Sequence, residues 1–338
     1  MIHVLKDALN PFNWIKIVKN PSKIIKIFND RINYYPGLYF GYTKSNLIKR
    51  FYMNVNIFLA KKNKNFNEFF FDTKINESKI DTHFDLSKSN RIDETHFKSL
   101  KQNGVLVLEN ALVDHENQMI NEKFNKFKKD LKDKNFNDYL NKNLEIIEGS
   151  NLRSSYTVES QLEYNSDLKK ISDQITKRVY GKEISPSQTY GYNKLVNLPD
   201  FPVSGDNVWH SDRYIPNLKI LYFPNGTMQG SPFRYSLGSH KINKEYLDFF
   251  LNKNNLRKTP GCIETSEDKK KFLKDTQKFN VKPNTLIVAF TNGFHGRTPF
   301  EYSGERCVLY LMYSKFRLSS LISFWKYNKN HIVNRLNN

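Results

Sequence analysis

Four polar side chains in the second half of this 338-residue chain are of types that bind a metal ion and an organic acid. His210 and Asp212 lie two positions apart in VWHSDRY, His295 lies in NGFHGRTPF, and Arg306 follows in SGERCVLYL. Two imidazoles and one carboxylate make a facial set of three ligands on octahedral iron(II), and the opposite face stays open for a cosubstrate and dioxygen. The guanidinium of Arg306 could hold the far carboxylate of 2-oxoglutarate by two parallel hydrogen bonds. The four residues therefore predict iron(II) chemistry driven by 2-oxoglutarate and dioxygen.

The spacing of the first two residues predicts an extended segment. On a strand, positions i and i+2 leave the same face, so His210 and Asp212 would point to one side and Ser211 to the other. A single strand cannot wrap three ligands around an octahedral face, so His295 must come from a different strand. The apolar run TLIVAF at 285–290 is typical of a buried strand and leads to this histidine.

Arg306 is expected on the strand that follows. Pro299 to Gly304 indicates a turn, and ERCVLYLMYS at 305–314 has the pattern of an antiparallel return strand. A hairpin of this length would bring Arg306 back beside His295, where a cosubstrate anchor is needed. Each signal alone is weak, and it is their order and their placement at strand ends that make the prediction specific.

Two further stretches extend the pattern and carry a resemblance. FKSLKQNGVLVLENALV at 97–113 has the form of a helix followed by a valine-rich strand, and GSPFRYSLGSHK at 230–241 ends in Gly-Ser-His. These two stretches and the candidate metal ligands follow one another in the order of a known family. In this the chain resembles the phytanoyl-CoA dioxygenase-like branch of the iron(II)/2-oxoglutarate oxygenases. The resemblance covers roughly residues 94–316.

The resemblance implies a double-stranded β-helix, the cupin-like jelly roll, and so a mainly β fold with flanking helices (α+β). His210, Asp212 and His295 match the metal positions of that family, and Arg306 matches its 2-oxoglutarate anchor. Related halogenases have a small residue in place of the carboxylate ligand, so Asp212 implies hydroxylation or another oxidation. The implied cofactor is iron(II), with 2-oxoglutarate and dioxygen consumed and succinate and carbon dioxide released.

This chain departs from the family pattern at three places near the site. Ser211 stands where members often carry Gln, and Gly-Ser-Pro-Phe at 230–233 stands where they commonly have Gly-Pro-Leu. Arg297 stands where some members place a small hydroxyl residue that contacts the cosubstrate. These differences concern the surroundings of the metal and the substrate pocket, and they leave the three ligands unchanged.

Strand parity and position suggest further site residues. SQTYGYNKLV at 187–196 is predicted to be a strand on which Tyr192 or Lys194 could face the cosubstrate. His240 in LGSHK is expected to close a turn and not to act as a fourth ligand. The candidates for the wall of the substrate pocket are Trp209, Tyr214, Arg234 and Arg297.

The chain length suits one large domain with an extension. Residues 1–90 are predicted to be a basic, aromatic, helical N-terminal extension, 91–316 the oxygenase domain, and 317–338 a basic C-terminal helix. The charged stretch at 266–278 is expected on the surface. In the middle region the predicted helices lie near 93–102, 112–132, 166–179 and 242–253, and the predicted strands near 104–109, 154–160, 187–196 and 218–223.

Positive charge is concentrated at the two ends. The formal net charge is +19; residues 1–70 hold 12 lysines and arginines against three acids, and residues 315–338 hold five and no acid. Two short basic amphipathic helices expected at 12–32 would either pack on the jelly roll or lie on an anionic lipid surface. We expect packing, because apolar stripes on short helices usually face a core. Nucleic acid is not the expected partner, since Lys and Asn are frequent throughout.

Composition bears on the compartment. The chain has a mean hydropathy of −0.65 and no run of 18 apolar residues, so no transmembrane segment is expected, and the first residues lack the apolar core of a signal peptide. Cys262 and Cys307 give no disulfide framework, and Cys307 is expected to be a small core residue. A reducing cytoplasm fits these features.

Two other classes of function stay open at the level of sequence. A cupin-type metal enzyme that does not use 2-oxoglutarate would explain the histidines and Asp212 but would leave Arg306 without a role. A non-catalytic jelly-roll binding module would leave the whole metal set unexplained. The substrate is expected to be a small molecule, and the sequence does not distinguish an acyl-CoA, a lipid, a sugar, an amino-acid derivative or another metabolite.

Overall fold

A computed structural model gives the structure of the chain and describes a little over half of its residues. The described residues are 54, 57, 58, 60–72, 80–87, 91–133, 153–159, 166–181, 184, 186–195, 208–212, 214–227, 232–251, 261–263, 265–298 and 304–313. The helices predicted at 12–32 and 317–338 and most of the turn predicted at 299–304 lie outside these residues. Over the described part the fold is α+β, with two sheets and flanking helices.

Six helices and ten strands have both of their ends within the described residues. The helices are α1 (Lys64–Phe66, continued by the π-helical turn Asn67–Phe71), α2 (Glu94–Asn103), α3 (Asp114–Asp133), α4 (Ser166–Tyr180), α5 (Lys244–Leu251) and α6 (Ser266–Phe272). The strands are β1 (His83–Asp85), β2 (Val105–Glu109), β3 (Arg153–Glu159), β4 (Ser187–Leu195), β5 (Leu218–Phe223), β6 (Phe233–Ser236), β7 (Thr276–Phe279), β8 (Thr285–Phe290), β9 (His295–Arg297) and β10 (Gly304–Tyr313). The helices and strands predicted for the middle region are confirmed to within a few residues, and the charged stretch forms α6 and most of β7.

The two sheets have the topology of a jelly roll. The major sheet has the order β1-β2-β8-β5-β10-β4-β3, and the minor sheet has the order β7-β6-β9. Bridges from His210 to His295 and to Cys262 extend the minor sheet beyond β9. Along the chain, β4, the segment at His210, β5, β6, β7, β8, β9 and β10 place four strands in each sheet, which is the eight-stranded double-sheet arrangement of that fold. The implied double-stranded β-helix is therefore confirmed by this chain's own strand order.

The major sheet has two different apolar faces. Side chains such as Val107, Leu221, Ile287 and Val308 pack with Phe233 of the minor sheet and form the interior between the sheets. The alternate residues of the same strands pack beneath the helices and form a larger outer core. Because both faces are covered, β8 is buried at all six positions, as expected for a strand without a solvated side.

Local signals fix the helix that leads into β2. Asp93 accepts hydrogen bonds from the amides of Thr95 and His96, and the His96 ring reaches back to the amide of Asp93, so α2 begins with a capping box. The helix ends at Gly104, which has a φ of 78°. A side chain there would collide with the ring of His240, so glycine serves both the turn and the close approach.

The described part of the N-terminal region packs on this fold. Phe66, Phe69 and Phe70 are buried in the outer core, and Arg178 of α4 binds Glu68 through two hydrogen bonds of 2.8 Å. Strand β1 pairs in parallel with β2. The jelly-roll body thus includes residues on the N-terminal side of the boundary predicted at 90. Within the described residues, every helix is too short or too polar to cross a bilayer.

The predicted hairpin between 285–290 and 305–314 is wrong. β8 pairs with β2 and β5, and β10 pairs with β5 and β4, so β5 lies between them. His295 begins β9, which belongs to the opposite sheet and pairs with β6. The reason is topological, because the chain crosses from one sheet to the other between β8 and β9 and again between β9 and β10.

A buried asparagine before β8 provides a test of this packing. Asn284 has a positive φ of 58°; its amide donates to the carbonyl of Leu112, and its oxygen accepts from Leu112 N and Tyr222 Oη at 2.7–3.1 Å. We expect Asn284→Ala to lower the free energy of unfolding by about 2–4 kcal/mol, since it removes three buried hydrogen bonds. Chemical denaturation measures the effect, and the exposed Asn225→Ala should change stability by no more than about 0.5 kcal/mol. Equal effects of the two changes would contradict this account.

Candidate metal centre

The two histidines and the aspartate predicted as ligands come together at one point. The Nε2 atoms of His210 and His295 each lie 3.7 Å from Oδ1 of Asp212, and the two ring centroids are 4.4 Å apart. Among the described residues this is the group of His, Cys, Asp or Glu side chains whose ligand atoms converge closely enough to hold a metal ion. The three residues come from two neighbouring strands, as the facial arrangement requires.

Hydrogen bonds to the backbone determine which nitrogen of each histidine is available. Nδ1 of His210 lies 2.9 Å from the carbonyl of Val208, and Nδ1 of His295 lies 2.9 Å from the carbonyl of Gly293. A carbonyl oxygen only accepts, so in each neutral ring Nδ1 carries the hydrogen and the lone pair is on Nε2. Burial and the neighbouring His210 lower the pKa of His295 to about 3, so its ring is neutral at ordinary pH.

Asp212 is held as a carboxylate by its neighbours. Its Oδ2 accepts a hydrogen bond from the ammonium of Lys219 at 2.7 Å and lies 3.5 Å from the amide nitrogen of Asn217. Burial by itself raises the pKa of Asp212, but the positive charge of Lys219 outweighs it, so the pKa is well below its usual value. The carboxylate therefore stays ionised and presents Oδ1 to the imidazoles.

These side chains fit a divalent metal ion. Two Nε2 lone pairs and one carboxylate oxygen face each other without a hydrogen between them, an arrangement of three acceptors that a cation would stabilise. Adjacent ligand atoms on a metal with bonds of about 2.1 Å lie about 3 Å apart, so small movements of the side chains would close the observed 3.7 Å separations. Mixed imidazole and carboxylate ligands in this geometry suit iron(II).

The backbone of the ligand segment is fully hydrogen-bonded. His210 N donates to His295 O and His295 N donates to His210 O, both at 2.8 Å, and Asp212 N donates to Thr291 O at 2.9 Å. Ser211 N donates to Gly261 O at 3.0 Å on the other side. Because all three amides of the segment are paired in this way, the positions of His210 and Asp212 are fixed relative to His295.

Ser211, where the chain departs from the family pattern, has a defined role on the opposite face. Its hydroxyl donates to the carbonyl of Asn292 at 2.7 Å, and Tyr246 of α5 donates to the same carbonyl at 2.8 Å. The side-chain amide of Asn292 in turn donates to the carbonyl of His240. Ser211 thus fastens the ligand segment to the turn that precedes His295, and it points away from the ligands as predicted.

Arg306 lies inside the jelly roll, although not by way of the predicted hairpin. Its guanidinium lies over the ring of Phe223 at 5.4 Å, on the face of β10 that includes Val308 of the interior. The side chain is buried and its Nε has no hydrogen-bond partner. Among the described residues no carboxylate pairs with it, since the buried acids Glu116 and Asp167 lie on α3 and α4 outside the sheets.

The residues predicted to line the substrate pocket have different positions. Arg297 is buried two residues after His295 on β9, and strand alternation puts it on the face of His295. Arg234 lies over Trp209 at 4.5 Å, and alternation puts both on the face of the minor sheet opposite to His210 and Tyr235. Tyr214 is buried in the outer core. Of these four candidates, the structure brings only Arg297 to the metal side.

The two residues predicted to touch the cosubstrate lie on β4, which pairs with β10. In the pairing of β4 with β10, Tyr192 stands opposite Cys307 and Lys194 opposite Glu305, whereas Arg306 stands opposite Asn193. The contact of Tyr192 or Lys194 with the cosubstrate stays a prediction. His240, in contrast, is buried in its turn and its Nε2 contacts the carbonyl of Lys101, as predicted.

Sequence reasoning missed Lys219 and Asn217. Lys219 occupies an inward position of LKILYF, and a lysine inside an otherwise apolar strand is the signal that could have identified it. Asn217 donates to the hydroxyl of Thr291 at 2.7 Å and joins the start of β5 to the end of β8. Its position directly before the strand carries no such signal.

Several solved structures are similar to this chain. AviO1 from Streptomyces viridochromogenes Tue57 is 13% identical, with 70% of this chain and 96% of that chain covered and a TM-score of 0.45. EctD from S. alaskensis with bound Fe is 14% identical, with 67% and 77% covered and a TM-score of 0.42. HygX from Streptomyces hygroscopicus with nickel and 2-oxoglutarate bound is 13% identical, with 66% and 87% covered and a TM-score of 0.39. No family model matches the chain, and no curated protein matches it.

Removal of one ligand tests the metal centre. We expect His295→Ala to lose stoichiometric iron(II) after anaerobic reconstitution, because two ligands remain of the facial three. Elemental analysis of the desalted protein measures the iron, and far-UV circular dichroism checks that the fold persists. The exposed His83→Ala is the matched control and should keep its iron. Full iron content in His295→Ala would exclude this residue as a ligand.

Proposed function

We propose that this protein is an iron(II)/2-oxoglutarate-dependent oxygenase that hydroxylates a small molecule, as a member of the phytanoyl-CoA dioxygenase-like group. The observation that carries the proposal is the buried Arg306, which pairs with no acid among the described residues, in the same interior as a His-Asp-His set. A buried guanidinium without an anionic partner costs several kcal/mol, so an anion beside Arg306 would stabilise the interior. A dicarboxylate that binds the metal at one end and Arg306 at the other meets this need.

The reaction consumes one substrate C–H bond, one 2-oxoglutarate and one dioxygen, and it yields the hydroxylated product, succinate and carbon dioxide. Iron(II), when bound, supplies the redox chemistry. The chain's own residues hold the groups in place: His210, Asp212 and His295 hold the metal, and Arg306 orients the cosubstrate. The apolar side chains between the sheets exclude water from the place where the metal, the cosubstrate and the substrate meet.

The charges around the interior favour this function over a cupin-type enzyme without 2-oxoglutarate. Lys219 and Arg306 belong to inward positions, and among the described residues Asp212 is the carboxylate that pairs with Lys219. A metal adds two more positive charges. A dianionic cosubstrate compensates part of this excess, whereas a neutral ligand would leave it uncompensated. A binding module without catalysis would give the converging lone pairs of the histidines no role.

Turnover of the cosubstrate tests the proposal directly. With iron(II), ascorbate, 2-oxoglutarate and air, the purified protein should form succinate, and a chelator should abolish it. Uncoupled turnover makes the reaction measurable before the substrate is known, and a panel of acyl-CoA, lipid, sugar and amino-acid derivatives should then show which class accelerates it. Iron binding without any succinate under these conditions, across the panel, would favour the cupin alternative.

The role of Arg306 is tested by a conservative change. Arg306→Lys keeps the charge but loses the planar fork, so the 2-oxoglutarate concentration for half-maximal succinate formation should rise by about tenfold or more, with iron content unchanged. Arg297→Lys is the comparison, because it changes a second buried arginine near His295. A large rise in Arg297→Lys together with none in Arg306→Lys would transfer the anchor to Arg297.

We also propose that the basic ends take no part in the chemistry and that the protein acts in the cytoplasm. Support comes from the packing of Phe66, Phe69 and Phe70 in the outer core and from the unbridged Cys262 and Cys307. Packing of the ends on the body predicts that the intact protein does not sediment with anionic vesicles at low salt. Sedimentation that fades as salt is added would instead indicate an anionic surface as partner.

A further inference from the structure

Lys219 is fixed in the most constrained part of the major sheet. It lies on β5, which pairs with β8 on one side and β10 on the other, and it stands opposite Ala289 and Met312. The neighbouring Leu218 and Ile220 are fully buried in the outer core, so strand alternation directs Lys219 to the interior. Its Cα cannot move without a shift of three strands.

The two oxygens of Asp212 have different neighbours. Oδ1 faces the Nε2 atoms of His210 and His295, whereas Oδ2 lies 2.7 Å from the ammonium of Lys219. The terminal torsion of an aspartate is soft, so a carboxylate without contacts rotates readily. An ammonium fixed to one oxygen removes that freedom and determines which oxygen faces the metal.

We infer that Lys219 is a positioning residue that holds Oδ2 of Asp212 away from the metal and so restricts this ligand to a single bond through Oδ1. The inference rests on the proposed function. A carboxylate bound through both oxygens would occupy four of six positions together with the two histidines. With one oxygen held by Lys219, three positions stay open, which is the number that a chelating cosubstrate and dioxygen require.

Positioning and simple charge predict opposite effects on metal affinity. An ammonium near a divalent cation repels it, so if charge were its whole effect, removal of Lys219 would tighten metal binding. If the ammonium orients the ligand, its removal weakens metal affinity, and loss of such supporting contacts typically costs about 10–100-fold. The sign of the change therefore separates the two roles.

The test is the affinity for Co(II) alone, measured by competition with a fluorescent chelator, which needs no turnover. Lys219→Met keeps most of the side-chain length without the charge and should weaken Co(II) binding about 10–100-fold. Lys219→Arg keeps a cationic donor and should restore affinity close to that of the natural protein. Lys278→Met, at an exposed lysine on β7, is the matched control and should have no effect.

Unchanged or tighter Co(II) binding by Lys219→Met would overturn the inference and leave the proposed function intact. Absence of Co(II) binding by the natural protein would instead overturn the metal centre itself. If Lys219→Met does not fold, a crystal structure of the natural protein with Co(II) decides the matter. We expect one Asp212 oxygen on the metal and the other on Lys219, and a carboxylate bound through both oxygens would refute the role.

Discussion

The candidate site depends on one pair of reciprocal hydrogen bonds between two distant parts of the chain. His210 and His295 exchange amide-to-carbonyl bonds of 2.8 Å, and this pairing joins the segment at 208–212 to the edge of the minor sheet. Directly paired residues on a sheet share a face, so the pairing places both imidazoles side by side. Asp212 follows two residues later on the same face. The outer bonds of Ser211 and Tyr246 to Asn292 keep the pairing in register.

The electrostatics of the interior follow from that arrangement. Asp212 lies among two histidines and Lys219, and Arg306 is buried deeper between the sheets on Phe223. Contacts within the sheets hold each of these groups in place. Burial of their positive charge costs free energy when the protein folds, and binding of anions would recover part of that free energy. Under the proposed function, the interior is arranged for a metal and a dicarboxylate before either binds.

The helices that pack on the major sheet stabilise the fold and so offset the cost of the buried charges. The outer core packs the π-helical turn with Phe69 and Phe70 against β8 through Phe290, and the bidentate contact of Arg178 with Glu68 fastens that turn to α4. Gly104 allows the ring of His240 to approach the end of α2. These contacts lie on the face of the major sheet away from the metal, so stability and chemistry use opposite sides of the same strands.

The sequence by itself determined the candidate ligands, the separate strand for His295 and the face of Ser211, because residue types and alternation along a strand are local properties. It also identified the buried Cys307 and the structural His240. Only the tertiary structure decided that β5 separates β8 from β10, that Lys219 contacts Asp212, and that Arg306 pairs with Asn193 on β4. These features depend on the pairing and register of strands far apart in the chain. A shift of one residue in register exchanges the faces of a strand, and local sequence does not specify that register.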